Sequence, residues 1–192
     1  DRLIANMSIA ERAGQLMSVA FHGTAITPAL ETMIRQRKVG GVILYSENFT
    51  DAASTKRLAA DLQRIASDAK TLPLFLSIDQ EGGAVVRIAN GATVLPGNMA
   101  LAATPDPSDS VRKSVAITAR DLRALGVNFD LAPDADVNNE PRNPIILNRS
   151  FGSDPQRVAA LVTIAARSFA DAGFLCCAKH FPGHGATTTD SH

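Results

Sequence analysis

Apolar and polar positions follow one another in short blocks along the chain, and each block predicts an element. Ser8-Ile9-Ala10-Glu11 has the spacing of a capping box and opens a first helix. Residues 16–21 read as a strand, and Thr27-Pro28 starts a short helix that ends near Lys38. The run VGGVILY over 39–45 predicts a second strand. Leu58, Leu62, Ile65 and Ala69 recur at helical spacing, and LPLFLSID over 72–79 predicts a third strand, apolar on both faces. Val111, Val115, Thr118 and Leu122 mark a helix that stops near Gly126, and VNFDLAP over 127–133 predicts a fourth strand. Ser153-Asp154-Pro155-Gln156 caps a helix carrying Val158, Leu161, Ala165 and Phe169 and closed by Gly173. LCCAKHF over 175–181 predicts a fifth strand.

Strands buried on both faces and alternating with helices indicate a parallel sheet of βα units, an α/β fold. Two architectures compete, a doubly wound open sheet and a closed β/α barrel. No GxGxxG follows the first strand, which argues against a dinucleotide-binding sheet. Polar residues collect just after the strand ends, at Asp79-Gln80-Glu81, at 134–139 and at Lys179-His180, and convergence of strand ends on one face is the barrel pattern. There is no internal repeat and no low-complexity segment.

Composition narrows the classes further. The 192 residues suit one domain, and 45% hydrophobic residues can bury a sizeable core. Lys+Arg and Asp+Glu both number 19, so no charge excess points to nucleic acid. No apolar run is long enough to span a bilayer. No signal peptide is visible, but the chain starts at Asp1 rather than Met, which leaves cytoplasm and cell envelope both open. The adjacent Cys176 and Cys177 point to opposite faces of an extended strand, so they are expected to be two buried thiols and not a bridge.

Three stretches carry chemistry. In IDQEGGAVVR, Asp79 sits at a strand end where it can accept hydrogen bonds from a polar ligand, with Arg87 pairing with it or with the ligand. The long Asn- and Pro-rich stretch PDADVNNEPRNPIILNRSFG reads as a loop, with Arg142 and Arg149 as candidate anion or hydroxyl ligands. The end of the chain, AKHFPGHGATTTDSH, gathers three of the four histidines, His180, His184 and His192, around Lys179 and Asp190. His180, His184, Asp190 and His192 are conceivable metal ligands, but their spacing fits no fixed template, and no metal is expected. A carboxylate beside an imidazole orients the ring and selects its tautomer, which would make His192 a general acid/base. A polar tail without function is the competing account.

KHFPGHG followed by DSH resembles the signature of glycoside hydrolase family 3, in its β-N-acetylglucosaminidase branch. MSIAERAGQLMSVAF, VGGVILYSENF, LPLFLSIDQEGG, LPGNMALAAT and NPIILNRSFG resemble family blocks in the family's order and extend the likeness over nearly the whole chain. The resemblance implies a TIM-type β/α barrel and retaining hydrolysis of a terminal β-linked N-acetylglucosamine, without cofactor. It implies His192 as acid/base with Asp190 as its partner, in place of the usual carboxylic acid. It places sugar-binding positions at Asp79, Arg87, Arg149, Lys179 and His180. Ala84 departs from the arginine usual after the paired glycines.

The family's nucleophilic aspartate is expected beyond His192. Residues 1–192 are therefore expected to be the N-terminal portion of the barrel domain, with about five of the eight strands, inactive alone and completed by the remainder on the same or a separate chain. The alternatives are a truncated barrel that holds amino sugars without cleaving them, and a β-N-acetylglucosaminide phosphorylase.

Overall fold

The computed structural model describes residues 2–191, in two compact units. Among the described residues, the first comprises 2–78 and 124–128, the second 79–123 and 129–191.

The first unit begins with helices α1 (Arg2–Ala5) and α2 (Ile9–Gln15). The expected capping box forms at α2: Ser8 Oγ accepts from Glu11 N at 3.2 Å, and Glu11 Oε2 accepts from Ser8 N at 2.8 Å. Strand β1 (Ser18–Val19), helix α3 (Pro28–Arg35), strand β2 (Gly41–Leu44), helix α4 (Ala52–Asp68) and strand β3 (Phe75–Ile78) follow. The three strands are parallel, with Ser18 opposite Gly41 and Gly41 opposite Phe75. Thr27 caps α3 ahead of Pro28, as its sequence requires. Asp51 caps α4, and Leu58, Leu62 and Ile65 on its inner face are buried with Val42, Leu44, Leu76 and Ile78 of the strands. Gln63 completes the packing of α4 by pairing its amide with both backbone groups of Leu74, at 2.9 and 3.0 Å. The strands are shorter than the apolar runs that announced them. The third is also less buried at its start than expected, where Phe75 is 48% exposed.

The second unit opens with an antiparallel hairpin that the sequence pattern did not announce, β4 (Gln80–Gly82) and β5 (Val85–Val86). Its turn needs glycine: Gly83 has φ +58°, and a Cβ there would lie 2.7 Å from Gly97 Cα. Helices α5 (Asn98–Ala102) and α6 (Pro107–Ala124), strand β6 (Phe129–Asp130), helix α7 (Pro155–Asp171) and strand β7 (Leu175–Cys176) complete it. On α6 the buried positions are Val111, Val115, Ala119 and Leu122, so the inner face runs through Ala119 where Thr118 was expected. Asp154 caps α7, and Val158, Leu161, Ala165 and Phe169 are all buried. Strands β6 and β7 are parallel, and a further parallel bridge joins Asp134 to Lys179 beyond their ends. Both cysteines are free thiols, as expected, but not both buried: Cys177, just past the end of β7, is exposed and Cys176 half-buried. No helix among the described residues is long and apolar enough to cross a membrane.

Candidate active site

The second unit concentrates charge at the residues that directly follow its strands and β3. The segment 79–81 is extended, so Asp79 and Glu81 project to one side and Gln80 to the other. Gln80 is buried and behaves like an extra strand. Its Oε1 accepts from Arg87 N and Ile88 N, both at 3.0 Å, and its Nε2 donates to Ile88 O at 3.1 Å. This fixes the hairpin and leaves the two carboxylates on the other side.

There Lys179 Nζ donates to Asp79 Oδ1 at 2.6 Å and pairs with Glu81 Oε1 at 2.7 Å. Arg87 Nη2 reaches the other Asp79 oxygen at 3.1 Å. Arg149, on the short 3-10 turn Leu147–Arg149, grips Glu81 with two parallel bonds, Nε to Oε2 at 2.9 Å and Nη2 to Oε1 at 3.0 Å. That fork is buried, with 7% of the Arg149 side chain and 2% of the Glu81 side chain exposed. His180 closes the chain of contacts, its Nε2 lying 3.4 Å from Arg149 Nη2. The structure thus brings together all five expected sugar-binding residues, Asp79, Arg87, Arg149, Lys179 and His180. Arg142 is elsewhere, exposed and paired with Glu140.

A second layer stands behind them, from the segment after β6. Asp136 is buried and accepts four hydrogen bonds. Its Oδ2 takes His180 Nδ1 at 2.6 Å and His180 N at 3.3 Å; its Oδ1 takes His184 N, and Gly185 N at 3.2 Å. An ionised carboxylate can only accept, so His180 carries its proton on Nδ1 and turns Nε2 toward Arg149. Burial pushes the Asp136 carboxyl up, but the His180 and backbone hydrogen bonds outweigh it and hold the group below the usual range. Gly185 is glycine of necessity, since a Cβ there would lie 1.9 Å from Val137 O. Burial likewise raises Asp79, and the bonds and charges of Lys179 and Arg87 bring it below the usual range.

Two carboxylates go the other way. Asp134 is fully buried, its Oδ1 accepting from Asp136 N while Oδ2 has no hydrogen-bond partner among the described residues; burial and the neighbouring Asp136 charge push it up to about 7. Asp130, also fully buried, accepts from Gln80 N at 3.0 Å, and burial raises it well above the usual carboxylate range.

Asp134, Asp136 and His180 bring a ligand atom each within 4.8 Å of one another, the spacing of a cation site. The Asp136–His180 hydrogen bond occupies the shared space, and Arg149 Nε lies 3.7 Å from Asp134 Oδ2, so positive charge is already supplied there. Of the residues the sequence suggested for a metal, this cluster contains His180, joined by Asp134 and Asp136, which the sequence did not suggest for that role.

The last loop is anchored by His184, buried, whose ring contacts Thr187 Oγ1 at 2.8 Å and Ser191 Oγ at 2.9 Å. Asp190 lies on this loop and is exposed; His192, the expected acid/base, falls outside the described residues. Glu81, Asp134, Asp136 and His184 were not singled out for these roles by the sequence. The signal for Glu81 and Asp136 was their two-residue spacing from Asp79 and Asp134, which puts each pair on one side of an extended chain.

The Glycosyl hydrolase family 3 N terminal domain matches residues 8–192. Beta-hexosaminidase A of Pseudoalteromonas piscicida is 43% identical over 88% of this chain, which spans 29% of that protein. A glycoside hydrolase family 3 β-N-acetylglucosaminidase from Paenibacillus sp. str. FPU-7 superposes with a TM-score of 0.91 at 43% identity, over 96% of this chain and 35% of its own. NagZ from Neisseria gonorrhoeae, in complex with N-trifluoroacetyl-D-glucosamine, gives a TM-score of 0.81 at 28% identity, over 92% of this chain and 52% of its own. The chain therefore spans about a third to a half of these relatives, and its parallel α/β architecture matches the TIM-barrel-like N-terminal domain of the family. With the match running from Ser8 through the charged cluster and the loop beyond it, the chain belongs to glycosyl hydrolase family 3.

Proposed function

We propose that the full-length protein is a retaining exo-β-N-acetylglucosaminidase, which hydrolyses the O-glycosidic bond of a terminal β-linked N-acetylglucosamine. The observation that carries this reading is the preformed cluster of Asp79, Arg87, Arg149, Lys179 and His180, immediately upstream of the loop that bears Asp190 and leads to His192. The names of the Pseudoalteromonas and Paenibacillus proteins, and the amino-sugar derivative bound by the Neisseria protein, support the substrate class.

Each role follows from the residue's chemistry. Asp79 and Lys179 present an acceptor and a donor fixed against one another, suited to adjacent sugar hydroxyls. His180, held by Asp136, presents Nε2 on the same side. Arg149 is committed to Glu81, so it orients the cluster more than it contacts sugar.

In the reaction, a carboxylate that we place outside residues 1–192 attacks the anomeric carbon as His192 protonates the departing oxygen. Asp190 orients the imidazole and stabilises its protonated form. His192, now neutral, then takes a proton from water, which attacks the glycosyl–enzyme bond and releases the sugar with its β configuration. No metal takes part.

The test uses the full-length protein and phenyl N-acetyl-β-glucosaminide. Proton NMR should show the β anomer first, with a rate unchanged by chelator. His192→Ala should cost about 10²–10⁴-fold on this poor leaving group, and Asp190→Asn should also slow it. An α anomer as first product, or equal rates for wild type and His192→Ala, would overturn the reading.

A further inference from the structure

We propose that His184 is a positioning residue that latches the loop carrying Asp190 and His192. This rests on the acid/base reading of His192 and extends it to a residue that touches neither sugar nor leaving group. The bland account of a buried histidine is that it merely satisfies its own ring.

The observations favour a latch. His184 is buried, and its backbone is pinned on both sides: its N–H donates to Asp136 Oδ1, and its carbonyl accepts from Asn143 Nδ2 at 2.8 Å. The His184 backbone is thereby tied to the same carboxylate that holds His180. Both ring nitrogens then face the loop beyond. Nδ1 meets Thr187 Oγ1 at 2.8 Å, one turn away, and Nε2 meets Ser191 Oγ at 2.9 Å, next to Asp190 and His192. A neutral imidazole offers one donor and one acceptor, and each hydroxyl can serve in either sense, so both bonds form together. Asn143 ties the near end a second time, donating to Thr187 O at 3.0 Å. The far end differs in kind: residues 188–191 are exposed and rich in threonine, and the bond to Ser191 runs back from them to a buried ring. One carboxylate, Asp136, thus sets both the sugar-facing His180 and, through His184, the loop end from which the leaving group is protonated. A general acid acts only within hydrogen-bond reach of its target, so a loosened loop weakens proton delivery while leaving sugar recognition intact.

Leaving-group dependence of kcat/KM in the full-length protein tests this, with aryl N-acetyl-β-glucosaminides ranging from dinitrophenyl to phenyl. An activated phenolate departs unaided, whereas phenolate itself needs protonation. Ser191→Ala and His184→Asn should slow the phenyl substrate by about 10-fold and the dinitrophenyl substrate by no more than about 2-fold, a fraction of the roughly 10²–10⁴ available from general acid catalysis. Asparagine reaches the place of Nδ1 but not that of Nε2. Glutamine spans the longer distance, so His184→Gln should recover most of the wild-type slope. A structural role alone lowers all substrates equally, through the fraction of folded enzyme. Wild-type slopes for Ser191→Ala and His184→Asn, beside a steep slope for His192→Ala, would overturn the latch and leave the proposed function standing. A wild-type slope for His192→Ala would remove the acid/base reading itself. If the buried His184 variants do not fold, Ser191→Ala, at an exposed position, decides alone.

Discussion

The two units of this chain bury different things. In the first, the described polar side chains hidden from solvent are Asn48, Thr55 and Ser77, all neutral, and the rest of the interior is aliphatic or aromatic. In the second, Asp130, Asp134, Asp136, Arg149 and His184 are buried alongside the apolar core of α6 and α7. Apolar interiors are held by area removed from water and tolerate substitution by degree. Buried ions are held by one another, so their energetics are all-or-none: a pair left with one partner is worse than no pair. The interior of the first unit is that of a scaffold, and the second accepts the cost of desolvated charge at the candidate site.

The widest gap between them should appear on deleting one member of the Arg149–Glu81 fork. Arg149→Ala leaves Glu81 buried with less compensation and should destabilise by about 3–5 kcal/mol in denaturant unfolding. Arg149→Lys should recover only part of this, because an ammonium cannot reproduce the fork. A loss no larger than that of a surface substitution would mean the pair is solvated, and the contrast would collapse. Next comes the apolar counterpart. Leu62 is fully buried, and Leu62→Ala should cost about 2–5 kcal/mol through lost burial and the cavity it leaves. Sugar affinity of the folded protein should stay unchanged in this variant and fall in Arg149→Ala, as calorimetry with N-acetylglucosamine would show.

The smallest effect concerns pH and sharpens the comparison most. Asp134 has its folded-state value pushed up to about 7 from 3.8. The folded state therefore holds a proton that the unfolded state has already released between those values. The stability this group contributes is fully present below about pH 4 and is lost as pH rises through about 7. Asp134→Asn cannot ionise, and its side-chain oxygen can still accept from Asp136 N. Its melting temperature should fall less than the wild type's across that interval, by a few degrees. Identical pH profiles would show that Asp134 is ionised throughout.

The same contrast explains what the sequence disclosed. The first unit was readable because its determinants are local. Ser8 with Glu11, Thr27 with Pro28, and the α4 repeat of Leu58, Leu62 and Ile65 each act within a turn or two of helix. In the second unit α7 was equally plain, from its Asp154 cap to Phe169. The β4–β5 hairpin was not, because Asp79-Gln80-Glu81 reads as a polar turn unless one knows that Gln80 bonds Ile88. Strand ends were placed too far out, since apolar runs continue past the last ladder bond; 16–21 shrinks to Ser18–Val19. The five expected sugar-binding positions rested on family likeness, and the structure brings their side chains together. Their support from Glu81 and Asp136 spans 68 and 44 residues of sequence to Arg149 and His180, and no local pattern encodes such distances.

Gln80 has a consequence for how this domain can vary. Its amide fills the place of a missing peptide unit, so the spacing from Asp79 to Ile88 is fixed by covalent reach. One inserted residue between 79 and 81 would invert the alternation, turning a carboxylate inward and an amide toward Lys179. The stretch from 89 to 95 carries no such constraint from this amide and is the natural point for lineages, or an engineer, to splice in new loops. Diversity in this part of the family should therefore accumulate as length variation after Ile88, with the interval before it invariant in length.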